Sequence, residues 1–463
     1  MGMTENAKAL ALRLLDRFDG HISAQLLLLR CGSKGTWDLY FDRTGGPVGF
    51  TGLHGVSFFG IVEMVSSVLE TRDWDLNESD CMGRTALTWA AIKGYDGVVK
   101  ILLERGDINP NQADIHSDRT PLLRAVKNGH EGVVKILLER EDVNPNQGCS
   151  RTGLTPLLWA AQDGHEEMVK VLLKREDVDP NQAETVEGGT PLLWAAQEGH
   201  NGVVKMLLER GDVNPNQADT DFGRTPLSWA AMNGHEGVVR ILLEREDVNP
   251  NHADTECGQT PLSWAAMNGH EGVVRILLER EDVNPNQADT ECGQTPLSWA
   301  AENGHEGVVK ILLEREDLDP NQADIKYGRT PLLWATKEGH EGVVKMLLER
   351  EDVNPNQADP HGLTPLWWAA LTRHEGTVRM LLKREDINPN QADTEYGRTP
   401  LSWAAGHGHV AVVKILLERQ DVSTTALDHE SQTPLSLALS RGYDEVVKIL
   451  RDNSNSRAAH LGV

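Results

Sequence analysis

From residue 51 onward the apolar positions return in a fixed order. A threonine, usually followed by proline, opens a short block of leucine, tryptophan and alanine. A Gly-His step follows, then a second block of valine, isoleucine and leucine, then a long polar run without periodicity. The cycle restarts at Thr51, Thr85, Thr120, Thr155, Thr190, Thr225, Thr260, Thr295, Thr330, Thr364, Thr399 and Thr433, always 34 or 35 residues apart, which makes twelve repeats. In the repeat from Thr225, the threonine suits an N-cap whose hydroxyl accepts an orphan amide, and Pro226 suits the first helical position. This predicts a helix through Leu227, Trp229, Ala230 and Ala231 to Asn233, ended by a left-handed Gly234. Glu236 opens a second helix, with Val238, Val239, Ile241, Leu242 and Leu243 on its apolar side and Arg245 near its C-terminal end. Asn249-Pro250-Asn251 is expected to stop it. Asn251 to Gln259 then reads as an extended turn. Helices this short are unstable alone in water, so each repeat must bury its apolar sides against its neighbours.

The series TPL, AA, GH, VV, LL and DVN, at this period and from about Thr51 to Asn453, resembles the ankyrin repeat. The resemblance implies an all-α solenoid of about twelve helix-turn-helix units with extended turns, capped at its N-terminus by a degenerate unit. It also implies protein binding through a concave face made from the turn tips and the ends of the inner helices. Three departures stand out. The family's TPLH histidine survives only as His54, being Ser228, Ser263 and Ser298 or Leu158, Leu193 and Leu333 elsewhere, so its hydrogen bonds must be rearranged. An acidic residue, as in Arg140-Glu141-Asp142, replaces Gly-Ala after the second helix and the next turn is longer, so the tips should project further. Tryptophan follows the former histidine at Trp89, Trp159, Trp194, Trp229, Trp264, Trp299, Trp334, Trp368 and Trp403. The WAA variant, the EGVVKILLERED helix, the NPNQAD turn and the segment Pro47 to Val65 resemble the ankyrin arrays of fungal NACHT-type immune receptors. There the array follows a nucleotide-binding switch. No GxxxxGK[ST] loop occurs in this sequence and Gly32-Ser33-Lys34-Gly35 is too short to replace one, so a detached array or truncated relative is expected.

Residues 1–50 break the period. Leu10 to Arg30 keeps a helical pattern with Gly20-His21 at the place of a GH step, and a glycine-rich link runs from Cys31 to Phe50. The expected division is a degenerate capping region and loop over 1–50, the array over 51–453 and a polar tail over 454–463. The last repeat replaces the tryptophan with Leu437 and closes in a polar run from Asp452 to Arg457. Repeats from Thr225 and Thr260 differ only at His252 against Gln287, the trace of recent copying, either through remodelling of a recognition surface or through unselected slippage.

Acidic residues outnumber basic ones 70 to 45, for a net charge of −25, which opposes binding to a phosphate backbone. No apolar run is long enough to span a bilayer. The N-terminus lacks the regions of a signal peptide, and Asn6 stands where a myristoylation signal wants Ser or Thr. A cytoplasmic or nuclear monomer is expected, without nucleic acid or membrane as partner. Cys31, Cys81, Cys149, Cys257 and Cys292 contain no CxxC pair, which argues against a disulfide framework or zinc site.

The histidine column, His130, His165, His200, His235, His270, His305, His340 and His409, reads as structural, because stacked helices lie about 10 Å apart and metal–nitrogen bonds are about 2 Å. The tryptophan column reads as an inter-repeat packing ladder. The triplets Arg105-Gly106-Asp107 and Arg210-Gly211-Asp212 fall in a helix-ending slot, where glycine is expected as a C-cap. Asp289, Glu291, Asp324, Asp393 and Glu395 near the tips serve either a basic partner or solubility. Side chains that vary on the constant frame mark the expected partner-binding set: Met232, Asn233, Met267, Asn268, Glu302, Asn303, Lys337 and Glu338 at the inner-helix ends, with Phe222, Arg224, Tyr327, Arg329, Tyr396 and Arg398 at the turns. No catalytic residue, cofactor or metal is assigned. Two other readings stay open: a scaffold or gene remnant without a dedicated ligand, and an enzyme using Asp19, His21, Asp38 and Asp42.

Overall fold

The computed structural model describes residues 49–71 and 73–460. The capping region and loop expected over residues 1–50, with Asp19, His21, Asp38 and Asp42, lie outside the described residues except for Gly49 and Phe50. Among the described residues all regular structure is helical, with twenty-four helices in twelve pairs. The chain divides into two compact parts, Met1–Asp221 and Phe222–Val463. The first holds five pairs, from Gly52–Phe59 with Val62–Thr71 to Pro191–Gln197 with Asn201–Leu208. The second holds seven, from Pro226–Met232 with Glu236–Leu243 to Pro434–Ser440 with Asp444–His460. That last helix carries on through the polar stretch beyond residue 453.

One pair shows why these residues fold this way. Thr260 is extended (φ −86°, ψ 165°) and its hydroxyl accepts the Ser263 N–H at 3.2 Å, so the inner helix Pro261–Met267 starts capped. Gly269 ends the step at φ 76°, a conformation that costs other residues a Cβ clash. The outer helix Glu271–Leu278 follows, with acidic Glu271 at the positive end of its dipole. Leu262, Ala265, Ala266, Val273, Val274 and Leu277 are at most 1% exposed. The small alanines let consecutive inner helices approach closely, and the valines and leucines close the space beneath them.

The outer helices stop earlier than the Asn-Pro-Asn signal suggested. Helix Glu236–Leu243 gives way at Glu244, because an arginine fork takes over the chain there. Arg245 donates to both carboxylate oxygens of Asp247 at 2.8 and 2.6 Å. The same fork reaches back to the preceding repeat: Arg140 donates to the carbonyls of Leu103 and Arg105 at 2.8 and 3.2 Å, and Arg384 to those of Leu348 and Arg350 at 3.1 and 3.0 Å. Each arginine thus satisfies carbonyls orphaned at the previous outer helix's end.

Asn-Pro-Asn has a different task. The second asparagine clamps the backbone of the next repeat, its amide donating to one carbonyl while its oxygen accepts one N–H. Asn146 does so with Asp177 O (2.6 Å) and Asp179 N (2.9 Å), Asn286 with Asp317 O (2.7 Å) and Asp319 N (2.8 Å). The long turns are also tied backbone to backbone, as in Thr290 N–H to Cys257 O at 2.8 Å and Thr394 N–H to His361 O at 2.9 Å. The added turn length expected to project is held by these ties.

Among the described residues nine close Arg-x-Asp forks recur, with Arg105–Asp107 a looser tenth at 3.4 Å. The arginine hydrogen bonds hold the aspartates from Asp142 to Asp386, Asp282 among them, below their ordinary value of 3.8. A carboxylate depressed in the folded state stabilises fully above the unfolded pKa and loses that contribution as pH falls through the folded value. Each aspartate is about half exposed, so a fork is worth only about 0.2–1 kcal/mol, but the forks add. The urea midpoint is expected to hold above about pH 5 and to fall below about pH 4, with a smaller fall in Asp282→Asn. A midpoint unchanged from pH 5 to pH 3 would show that the forks contribute nothing.

Candidate binding surface

The turn that enters each inner helix is organised by a buried carboxylate. Asp289, 4% exposed, accepts the N–H groups of Cys292, Gly293 and Gln294 at 2.7, 3.0 and 3.1 Å. Its second oxygen also accepts the Trp299 indole N–H at 3.0 Å. The same tie joins Trp264 to Asp254 (2.9 Å), Trp334 to Asp324 (3.0 Å) and Trp403 to Asp393 (2.7 Å). In the third repeat Arg124 replaces the tryptophan and grips Asp114 at 2.9 and 2.7 Å. Cys149 stands where Trp159 would find its acid, and that indole N–H has no partner. These aspartates therefore build the turns. Of the acidic residues expected at the tips, Asp289, Asp324 and Asp393 are buried, while Glu291 and Glu395 are exposed. The tryptophan column likewise departs from a core ladder: most of its members are only half-buried, at the seam between turn and inner helix.

Cations cover these rings. Arg224 lies over Phe222 at 4.4 Å, over Trp229 at 5.1 Å and over Trp264 of the next repeat at 4.5 Å. Its Nη2 also meets Glu256 at 2.9 Å. Arg329 lies over Tyr327, Trp334 and, one repeat on, Trp368 at 4.8, 4.7 and 5.2 Å. Arg398 lies over Tyr396 and Trp403 at 5.1 and 5.5 Å, and its Nε donates to Asp428 at 2.9 Å. A guanidinium stacked between the aromatics of successive repeats is attracted by their negative faces and displaces water from them. Arg224 and Arg398 are buried at 6% and 9% exposure, so of the turn set it is Tyr327 and Tyr396 that stand exposed, with Phe222 and Arg329 half-buried.

The inner-helix ends form a second row. Asn233, Asn268, Asn303 and Glu338 are exposed, and Met232, Met267, Glu302 and Lys337 half-buried. Two contacts join this row to the turns: Gln294 donates to Glu302, and Lys337 lies 5.1 Å over the Trp334 ring while pairing with Glu338. Beneath them the histidines lock the backbone. His270 bonds the Met232 carbonyl at 3.0 Å, His305 that of Met267 at 2.9 Å and His340 that of Glu302 at 2.9 Å. His54, the surviving family histidine, accepts the Thr51 N–H at 3.1 Å and bonds Arg84 O at 3.0 Å. Where serine replaces it, its hydroxyl pairs with the cap, as Ser228 with Thr225 at 3.0 Å.

Both RGD triplets are occupied internally, Arg210 gripping Asp212 at 2.9 and 2.5 Å. Their glycines are not C-caps. Gly106 and Gly211 lack positive φ and follow outer helices that end at right-handed Glu104 and Glu209, so they occupy a slot that tolerates glutamate. Cys257 is pushed up to about 11 by burial and by its hydrogen bond to Glu291, a direction that keeps it a thiol. Among the described residues no cluster of three or more His, Cys, Asp or Glu is placed to hold a metal ion. No helix among them is long and apolar enough to cross a membrane.

The sequence reading passed over Trp367, which lines a cleft with Tyr396 and Trp403. Its signal was the Trp367-Trp368 doublet beside a turn shortened by one residue. A search of curated proteins found no match. Ankyrin repeats (3 copies) matches residues 18–114, 108–184, 176–254, 246–324, 318–393 and 387–459. With paired helices and threonine caps in register through the described part of these spans, the chain belongs to the ankyrin repeat family.

Proposed function

We propose that this chain binds a protein partner inside the cell, through the face that the exposed turn aromatics and inner-helix ends make in its second part. Ankyrin repeats are in general protein-interaction modules. The observation that carries the reading is the contrast between frame and surface. Carbonyls at Met232, Met267 and Glu302 are held alike by histidines of the following repeats. The side chains on that frame nonetheless change from Met-Asn to Glu-Asn to Lys-Glu. A rigid backbone with varied exposed side chains supplies pre-organised specificity, since ordering costs are already met in the free protein. The resemblance of the WAA, EGVVKILLERED and NPNQAD segments extends the proposal to the recognition region of a fungal NACHT-type receptor-like system, in cytoplasm or nucleus.

The test compares the intact chain with a variant carrying alanine at Met232, Asn233, Met267, Asn268, Glu302 and Asn303 in pull-downs from fungal lysate. One partner retained by the intact chain and lost by the variant is expected. The same proteins on both baits, or none on either, would reject this face and favour a scaffold without a dedicated ligand.

A further inference from the structure

The repeat that begins at Thr364 departs from the frame in three connected ways. Its entering turn, Ala358 to Leu363, is one residue shorter than the turn from Ala323 to Arg329. Leu363 stands where its neighbours have Arg329 and Arg398, and Trp367 stands where the repeats from Thr120 onward otherwise have serine or leucine. The indole tie is also lost. Asp359 uses one oxygen for the N–H groups of His361 and Leu363, at 2.9 and 3.0 Å. The indole N–H groups of both Trp367 and Trp368 are left without a partner.

Beside these changes lies a cleft of about 240 Å³, lined by His361, Leu363, Trp367, Tyr396, Trp403 and the acidic residues Asp393 and Glu395. Trp403 meets Trp367 edge to face at 5.1 Å and 74°, and Tyr396 at 5.9 Å and 83°, while His407 stacks on it at 5.0 Å and 16°, so rings of different orientation border one space with one face of Trp403 already covered. Asp393 is spent on Trp403 and on the Tyr396 and Arg398 N–H groups. Glu395 is exposed. The one cation on these rings among the described residues, Arg398, is buried and paired with Asp428, with Glu430 4.0 Å away. Four carboxylates against one guanidinium leave the site negative, in a chain whose net charge is −25.

We infer that this cleft receives a lysine or arginine side chain from a basic segment of a protein partner. The inference rests on the interaction reading above and names one subsite of it. Aromatic faces attract a cation and Glu395 supplies the counter-charge.

A capped pentapeptide, Gly-Ser-X-Ser-Gly, is titrated into the intact chain while the tryptophan indole N–H signals are followed by NMR, with X as lysine, arginine or norleucine. The expected result is movement of the Trp367 and Trp403 signals by the two basic peptides and not by norleucine. Affinity should fall about tenfold in Glu395→Gln and be lost in Trp367→Ser, which restores the residue that Ser298 and Ser402 occupy in sister repeats. Equal response to norleucine, or unchanged affinity in Glu395→Gln, would overturn the inference. So would tetramethylammonium alone binding more tightly than either peptide, which would mark a small quaternary amine as the ligand. A lysate partner kept by Trp367→Ser but lost by the helix-end alanine variant would remove this subsite and leave the interaction reading intact.

Discussion

Leu277→Ala is expected to destabilise the chain by about 3 kcal/mol, within the range for fully buried leucines, while Leu278→Ala next to it costs about 1 kcal/mol. Leu277 is 0% exposed at the centre of the outer helix packing, with Val273 and Val274 one turn back, and truncating it leaves a cavity that neighbouring helices cannot fill without breaking their own contacts. Leu278 is only half-buried, at the helix end. Because each repeat contacts only its neighbours, the damage should stay local. Urea unfolding followed by circular dichroism gives the size of the effect, and hydrogen exchange its place. Protection should fall in the repeats from Thr260 and Thr295 first. Equal costs for the two leucines, or a loss of protection spread evenly along the chain, would contradict this packing.

Gly269→Ala is expected to cost about 2–3 kcal/mol, from two sources that act together. The residue sits at φ 76°, where a Cβ alone costs about 1–2 kcal/mol. That Cβ would also lie 2.7 Å from Nδ1 of His305. Moving the imidazole away breaks its bond to the Met267 carbonyl, which is worth about 1 kcal/mol more. Gly211→Ala provides the contrast: with no positive φ and nothing within 4 Å of an added Cβ, it should be neutral or stabilise by up to about 1 kcal/mol. Thermal melts of the two variants decide it. A costly Gly211→Ala would restore the helix-capping role first read for the RGD glycines.

Much of the frame was legible because its causes are local. Threonine before proline, glycine before histidine and the paired apolar blocks each act within a few residues, so their letters predict the helix pairs from Gly52 to Leu450. Arginine was harder. Arg224 and Arg398 vary between repeats and sit in turns, which reads as an exposed recognition residue. Both are buried, because their stacking and ion-pair partners Trp264, Asp428 and Glu256 lie about one period further along the chain. Asn-Pro-Asn was read as a helix stop for the same reason. Its local chemistry is a turn, while its ladder bonds go to the next repeat.

What the sequence by itself determined is therefore the repeat: its period, its two helices, its caps and the fact that no repeat can stand alone. Tertiary structure decided which residues of like chemistry differ in role. It separated Leu277 from Leu278 by burial, Gly269 from Gly211 by backbone angle, and the spent carboxylate of Asp393 from the exposed one of Glu395. It also gathered Trp367, Tyr396 and Trp403 around one cleft. The physical reason is that propensity and capping act along the chain within a turn or two. Burial, stacking and carboxylate pairing are set by neighbours about 35 residues away in the sequence, which only the stacking of the repeats brings together.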